Sequence, residues 1–268
     1  MNNYKMIFSD IDGTILDSNH KVSNKTKEVV KKLEGKKVPF VLVSARMPKG
    51  IRTVIKELEI NSPIVAYSGA LVQDKEGVAI SQHSIKRREA VEIAGYIRKE
   101  FPDVSISMYS NDYWLTDDVK NPWIVEEEKI TAVKSEAVGS FREVKSKKIH
   151  KLLCMGNKSE IEALESSLVG RFAGIKVYKS KDTYLEIMNF KASKSKAMKI
   201  LGDIYHISMK DTIAFGDNYN DIDMLQSAGL GVAMGNAPED VKKAADIIAL
   251  SNDEDGVFHV IDKIKIIV

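Results

Sequence analysis

The sequence predicts an α/β fold in which a parallel sheet is interrupted by a long inserted α/β segment. Three observations lead there. Short apolar runs alternate with helical patterns in the first third of the chain, and the same rhythm returns after about residue 193. The stretch between them has another grain, with a hairpin and alternating strand patterns. Strand–helix–strand order places helices in the crossovers, which makes successive strands parallel and buries them on both faces.

Taken in order, residues 5–8 read as a buried strand, and Ser23 or Asn24 caps a helix that ends near Gly35. Residues 38–43 form a second apolar run, with Pro39 early, where a strand tolerates it. Residues 49–58 repeat apolar positions at helical spacing, and 64–67 make a third strand. Residues 71–72 and 78–80 predict a hairpin about the polar turn 74–77. A helix over 87–101 and strands over 104–109 and 149–155 follow. Ser159 with Glu162 has the spacing of a capping box for a helix running to Arg171. Strands at 177–178 and 184–188 close this section. The core then resumes with a helix over 193–205, a strand over 212–215, a helix over 220–226, a strand over 231–234 and a helix opening at Pro238. The expected organisation is a core of residues 1–82 and 188–268 with an inserted α/β cap over 83–187.

Composition narrows the function. The chain has 268 residues, 44% of them apolar, which is ordinary for a globular protein and excludes disorder. Forty basic residues against thirty-eight acidic ones give a charge of +2, too balanced for a dedicated nucleic-acid binder. The single cysteine, Cys154, excludes an internal disulfide and a cysteine zinc site, and is expected to be a small buried hydrophobe in a reducing compartment. No run approaches the roughly 18 apolar residues that a spanning helix needs. Met6-Ile7-Phe8 is too short for a secretory h-region, so the expectation is a soluble, cytoplasmic protein without membrane partners.

Open parallel sheets bind ligands beyond the carboxyl ends of their strands. That rule brings Asp10 and Asp12, Ser44, and Asp217, each following a predicted strand, to one crevice, together with Lys194 at the start of a core helix. In extended chain, residues two apart point the same way, so Asp10 and Asp12 can address one ligand, and Gly13 lets the backbone turn afterwards. Asp217 and Asp221 add carboxylates. An oxygen-rich cluster without histidine or cysteine suits Mg²⁺ together with a substrate phosphate. The Ser44 hydroxyl can hydrogen-bond phosphoryl oxygens, and Lys194 can neutralise them and hold a nucleophilic carboxylate in place.

These residues resemble the haloacid dehalogenase (HAD) superfamily, and within it the Cof-like phosphatases with the larger α/β (C2B-type) cap. The resemblance spans essentially the whole chain. Asp10-Ile11-Asp12-Gly13-Thr14 is similar to the first motif of that family, Val43-Ser44-Ala45-Arg46 to the second and Ser193-Lys194-Ser195-Lys196-Ala197 to the third. Gly216-Asp217 through Asn220-Asp221 is similar to the fourth, with Met234-Gly235-Asn236-Ala237 a further matching segment. The resemblance implies a Rossmann-like core, a Mg²⁺ cofactor and a small phosphate ester as substrate. It implies Asp10 as the nucleophile that accepts the phosphoryl group and Asp12 as acid and then base. It implies Mg²⁺ on the Asp10 carboxylate, the Asp12 carbonyl and Asp217, with Asp221 in support. Ser44, Lys194, Asn220 and the amides of Ile11 and Ala45 would hold phosphate oxygens.

Three positions depart from the family pattern: Ala45 and Ser195 stand where glycine is usual, and Ser68 where asparagine is frequent. The insertion has the length of a lid that would close over the crevice and contact the leaving group. The run Lys145, Lys147, Lys148, His150 and Lys151 reads as a solvated strand edge, and Trp114, Trp123 and Tyr184 as cap core. Three other readings stay open beside the phosphatase: a phosphomutase, a phosphate-accepting receiver, and an idle binding protein of the same fold. The short Asp12–Ser44 interval argues against a mutase, and the Asp10–Asp12 spacing against a receiver.

Overall fold

The run Met6–Ser9 has no exposed face, so it belongs at the centre of a sheet covered on both sides, where the computed structural model places it. The structure describes residues 4–146 and 148–264; Lys147 of the basic run lies outside the described residues. The first core segment runs β1 (Met6–Ser9), α1 (Asn24–Gly35), β2 (Phe40–Val43), α2 (Pro48–Leu58), β3 (Ile64–Ala66), β4 (Leu71–Gln73) and β5 (Ala79–Gln82). The inserted segment contains β6 (Ile85–Lys86), α3 (Arg87–Glu100), β7 (Ser105–Ser110), β8 (Tyr113–Thr116), α4 (Pro122–Thr131) and β9 (Glu136–Ala137). It continues through β10 (Lys148–Ile149), β11 (Lys151–Met155), α5 (Lys158–Leu168), β12 (Ile175–Lys181) and β13 (Tyr184–Asn189). The core resumes with α6 (Lys194–Tyr205), β14 (Thr212–Gly216), α7 (Ile222–Ser227), β15 (Leu230–Ala233), α8 (Glu239–Lys243), β16 (Ile247–Ile248) and α9 (Gly256–Ile264).

Among the described residues the core sheet has the order β16-β15-β14-β1-β2-β3-β4-β5. It is parallel from β16 to β3, and β4 turns back antiparallel on β3. The chain leaves β1 toward β2 on one side and returns at β14 on the other, so the order reverses beside β1, the position at which doubly wound sheets bind ligands. Met6, Phe8, Val41, Val43 and Ala214 pack with Ala197, Met198 and Leu201 of α6 and Met224 and Leu225 of α7. The alternate residues Ile7, Phe40 and Leu42 are also buried, and by strand alternation they point to the opposite face. Ser23 caps α1, its side chain accepting from the Thr26 N–H at 3.2 Å.

Contacts divide the chain into two units: one of residues up to Arg46, Ile51–Ser81 and the chain from Ser193 onward, the other of Met47–Gly50 and Gln82–Ala192. The boundary thus falls later than residue 188, because β13 stays paired to β12 through Asn189. Within the second unit the sheet order is β12-β13-β11-β7-β8-β9, beside a two-stranded ribbon of β6 and β10. α3 and α5 cover one face, where Ile93, Ala94, Ile97, Ile161 and Leu164 meet Ile106, Met108, Leu152, Cys154, Leu185 and Ile187. Burial pushes the Cys154 thiol up to about 12, so it behaves as a hydrophobe.

Several local expectations are corrected. The strand over 149–155 is two strands, split at His150: β10 pairs with β6, and β11 with β7 and β13. The capping box is Asn157 with Glu160, two residues ahead of the Ser159–Glu162 match; the Ser159 hydroxyl instead donates to Asn157 Oδ1 at 2.8 Å. α5 ends at Leu168, before an extended Val169 and a left-handed Gly170 (φ 75°). The segment over 220–226 opens as a 3-10 turn, Tyr219–Asp221, before α7. The basic run is not wholly solvated, because His150 and Lys151 are buried. β8, α4 and α9 have no counterpart in the sequence reading. No helix among the described residues is long and apolar enough to cross a membrane.

Candidate active site

The parallel register sets the site. Ser9 stands opposite Phe215 on one side and Leu42 on the other, so β1, β2 and β14 end at one level. The Asp10 N–H donates to the Phe215 carbonyl at 3.0 Å, so Asp10 is held as a continuation of the ladder. The next turn closes on Ile11, whose carbonyl accepts from the N–H groups of Thr14, Ile15 and Leu16.

Lys194, the first residue of α6, reaches into this edge and is only 1% exposed. Its Nζ donates to Asp10 Oδ1 at 2.5 Å, Asp221 Oδ1 at 2.5 Å and the Val43 carbonyl at 3.4 Å. Burial works against its charge, but Asp10 and Asp221 outweigh it and hold the ammonium above the ordinary lysine range. The other Asp221 oxygen accepts the N–H groups of Asp217 and Asn218 at 3.1 and 3.0 Å, so this fully buried carboxylate locks the 217–221 turn onto Lys194.

Asp217 sits against the turn after β1. The Thr14 hydroxyl donates to its Oδ1 at 2.7 Å. Gly13 is left-handed (φ 79°), and a Cβ there would lie 2.4 Å from Asp217 Oδ2, so both conformation and space require glycine. Asn236 donates to the Gly13 carbonyl at 2.9 Å, which brings the segment after β15 onto the same turn.

The Asp12 carboxylate is turned elsewhere, onto Arg46 in a two-armed pair: Nε to Oδ2 at 2.8 Å and Nη2 to Oδ1 at 2.5 Å. Ser44 is buried, and its Oγ accepts the Arg46 N–H at 3.1 Å, which leaves its own O–H as a donor. Ser44 is therefore not the cap of α2, which starts at Pro48. Facing it, Tyr67, Ser68 and Gly69 are all left-handed (φ 51°, 47° and 94°), a conformation costing about 1–2 kcal/mol for each non-glycine residue. The loop is held because Tyr67 N–H donates to the Arg46 carbonyl and Ser68 N–H to the Ser44 carbonyl. A Cβ on Gly69 would lie 2.1 Å from the Ser193 carbonyl. Ser195, where glycine is usual, makes its own contact: its hydroxyl and that of Ser193 donate to Asp223 Oδ2 at 2.9 and 2.6 Å, tying α6 to α7. Ile11 is fully buried, Ala45 follows Ser44 at the end of β2, and Asn220 is half-buried in the 219–221 turn.

Asp10, Asp217 and Asp221 therefore converge, with one carboxylate oxygen from each within 4.8 Å of the others. Three carboxylates face one ammonium. Burial, and then the neighbouring anions, raise Asp10 well above the usual carboxylate range against the pull of Lys194. Burial likewise raises Asp217 to about 7. A buried set with surplus negative charge takes up either protons or a cation, and its all-oxygen donors fit a hard divalent ion. Sequence reasoning anticipated the carboxylates and Lys194. It missed Arg46 as the partner of Asp12, Thr14 as the donor to Asp217, and Asp223 behind Ser193 and Ser195. The arginine at the end of β2 was visible, but its partner lies 34 residues away in the chain.

Comparison with known proteins places the chain in a family. The family of haloacid dehalogenase-like hydrolases matches residues 7–261. A Haemophilus influenzae protein is 37% identical over 260 residues, 97% of this chain and 98% of that one. Phosphatase YwpJ of Bacillus subtilis is 29% identical over 282 residues, 95% of this chain and 98% of that one. Among solved structures, a haloacid dehalogenase-like hydrolase from Bacteroides thetaiotaomicron superposes with a TM-score of 0.90 at 30% identity, covering 97% of this chain and 99% of that one. The HAD subclass IIB sugar phosphatase BT4131 superposes with a TM-score of 0.82 at 25% identity, covering 98% and 100%. With its carboxylate edge, its matched length and these relatives, the chain belongs to the haloacid dehalogenase-like hydrolases and is a phosphatase of the Cof-like kind.

Proposed function

We propose that this phosphatase hydrolyses small phosphomonoesters through a phosphoryl group carried on Asp10, with Mg²⁺ as its cofactor. The observation behind this reading is the Asp10–Lys194–Asp221 bridge, with both Nζ–O distances at 2.5 Å, at the sheet edge where Asp217 and Asp12 also stand. Asp10, Asp217 and the Asp12 carbonyl would hold the ion, with Asp221 behind them. When bound, Mg²⁺ supplies charge that screens a phosphate dianion from the attacking carboxylate.

The side chains supply the remaining chemistry. An Asp10 oxygen forms the new bond to phosphorus as the ester oxygen departs, and Asp12 gives that oxygen its proton. Asp12 then takes a proton from water, the resulting hydroxide attacks phosphorus, and the Asp10–phosphorus bond breaks to release inorganic phosphate. Lys194 acts through charge, since its N–H groups are committed to Asp10, Asp221 and the Val43 carbonyl, of which the last is the longest and the easiest to exchange for a phosphoryl oxygen. The O–H of Ser44, the Asn220 side chain and the backbone amides of Ile11 and Ala45 supply further donors. The inserted unit, by this reading the cap that the sequence led one to expect, selects the leaving group.

The test is phosphate release from a panel of phosphomonoesters, with Asp10→Asn as the decisive variant. We expect Asp10→Asn to lower turnover about a thousandfold or more while circular dichroism stays native. Wild-type rates in that variant would remove the nucleophile assignment. Added Mg²⁺ should raise the melting temperature of the chelator-treated protein, and no shift would remove the ion from the site.

A further inference from the structure

Arg46 does more than a surface arginine does. Its guanidinium engages both oxygens of Asp12, Nε with Oδ2 and Nη2 with Oδ1, so the carboxylate plane is fixed and free rotation about its last bond is lost. The arginine side chain is 16% exposed although its partner is 48% exposed, so the fixed member of the pair is the cation. Its backbone is tied at both ends, the N–H to Ser44 Oγ and the carbonyl to the Tyr67 N–H. Two consecutive non-glycine residues in left-handed conformation, Tyr67 and Ser68, hold that second tie. A flexible exposed ion pair has little effect on anything, whereas a planar fork anchored in backbone sets a direction.

We propose that Arg46 is a positioning residue for Asp12: a clasp that aims its carboxyl at the leaving oxygen and opens one arm for the proton to move. Proton transfer needs the carboxyl within about 2.6–3.2 Å of the oxygen it serves, a tolerance that a freely turning side chain meets only a fraction of the time. The Nη2–Oδ1 arm opens to let Oδ1 meet the ester oxygen, while the Nε–Oδ2 arm keeps the group in line. This inference rests on the reading of Asp12 as acid and base given above.

The experiment uses the full-length protein with Mg²⁺, carrying Arg46→Gln, Arg46→Lys, Asp12→Ala and the Arg46→Gln/Asp12→Ala pair. Single-turnover release is followed from β-glycerophosphate, whose alkoxide needs a proton, and from p-nitrophenyl phosphate, whose phenolate does not. Arg46→Gln is expected to slow glycerol release about tenfold and to leave p-nitrophenolate release unchanged, the scale that small misplacements of reacting groups produce. KM for both esters and inhibition by inorganic phosphate should stay as in the wild type. Arg46→Lys, which keeps the charge and loses the fork, should fall between. On the Asp12→Ala background, Arg46→Gln should change glycerol release by less than about twofold, the non-additivity of two residues that act as one. A KM raised for both esters, an additive double variant, or unchanged glycerol release in both Arg46 variants would overturn the clasp. If Asp12→Ala alone released glycerol at the wild-type rate, the acid–base reading would fall and the clasp with it; a slow Asp12→Ala beside a normal Arg46→Gln would overturn the clasp alone.

Discussion

Among the described residues each unit buries one lysine against carboxylates, and the two are built differently. Lys194 stands between Asp10 and Asp221 at 2.5 Å each, with Asp217 completing a group of three anions around one cation. Lys151 faces Glu186 at 3.6 Å and lies 5.1 Å from the Tyr109 ring centre, while Tyr178 donates its O–H to Glu186 at 3.1 Å. The second site is balanced once its neighbours are counted, Lys151 and Lys181 against Glu186 and Glu127, with Tyr178 and Tyr184 donating to the two carboxylates. The first sets three carboxyl groups against one ammonium, a set that takes up protons or a cation. Burying charge is costly in both places. The difference bears on what the surplus is for: a balanced set fixes side chains in place, and the unbalanced one is where the function proposed above puts a cation and a phosphoryl group.

The comparison breaks if the two lysines respond alike. Lys194→Met leaves the buried Asp10 and Asp221 carboxyls without their shared cation, and should cost about 5 kcal/mol in urea denaturation and abolish turnover, since breaking a buried pair strands the remaining charge. Equal stability in that variant would mean that the anions tolerate one another without the lysine, and the surplus-charge argument would fail.

Lys151→Met should cost less, about 3 kcal/mol, because Tyr178 still donates to Glu186. The sharper measurement is the double variant Lys151→Met/Glu186→Leu. A balanced pair replaced whole by apolar side chains should return to within about 1 kcal/mol of the wild type. Additive losses in the double variant would show that the pair does something besides balance its own charge.

The asymmetry also explains what could be read from sequence. The parallel core was legible because its strands are unbroken apolar runs, and the carboxylates because they follow strand ends: Asp10 and Asp12 share a face by their spacing of two, and Asp217 follows β14 directly. Lys151 and Glu186 were not legible as a pair. They lie on β11 and β13, strands that neighbour each other only in three dimensions, and each reads alone as a stray charge in Lys-Leu-Leu-Cys-Met or Leu-Glu-Ile-Met. The same holds for Arg46 with Asp12, whose partner is set by sheet order, and for Ser195 with Asp223, brought together where α6 packs on α7. The helix α4 was missed because Glu126, Glu127 and Glu128 in succession give it no clear apolar stripe; Tyr184 donating to Glu127 at 2.8 Å is one of the contacts that hold it.

The smallest effect belongs to His150, next in the chain to Lys151. It is buried, and its Nδ1 accepts the Asn111 N–H at 3.2 Å, which puts the ring proton on Nε2 and makes the neutral form the native one. Burial, assisted by Lys148, lowers it to about 4 from an ordinary 6.5. Between those values the unfolded chain binds a proton that the folded chain refuses, so this residue's contribution is complete above about pH 6.5 and is lost as pH falls toward 4. Asp217, raised to about 7, works in the opposite direction over an overlapping range, so the wild-type curve alone does not isolate the histidine. The difference between wild type and His150→Gln does. The stability gap should shift by about 1–2 kcal/mol in favour of the variant between pH 7 and pH 4.5, measured by urea midpoints at each pH. A gap that stays constant across that range would mean that His150 meets the proton as readily folded as unfolded, and that charge is less strictly balanced on this sheet than the Lys151 pair implies.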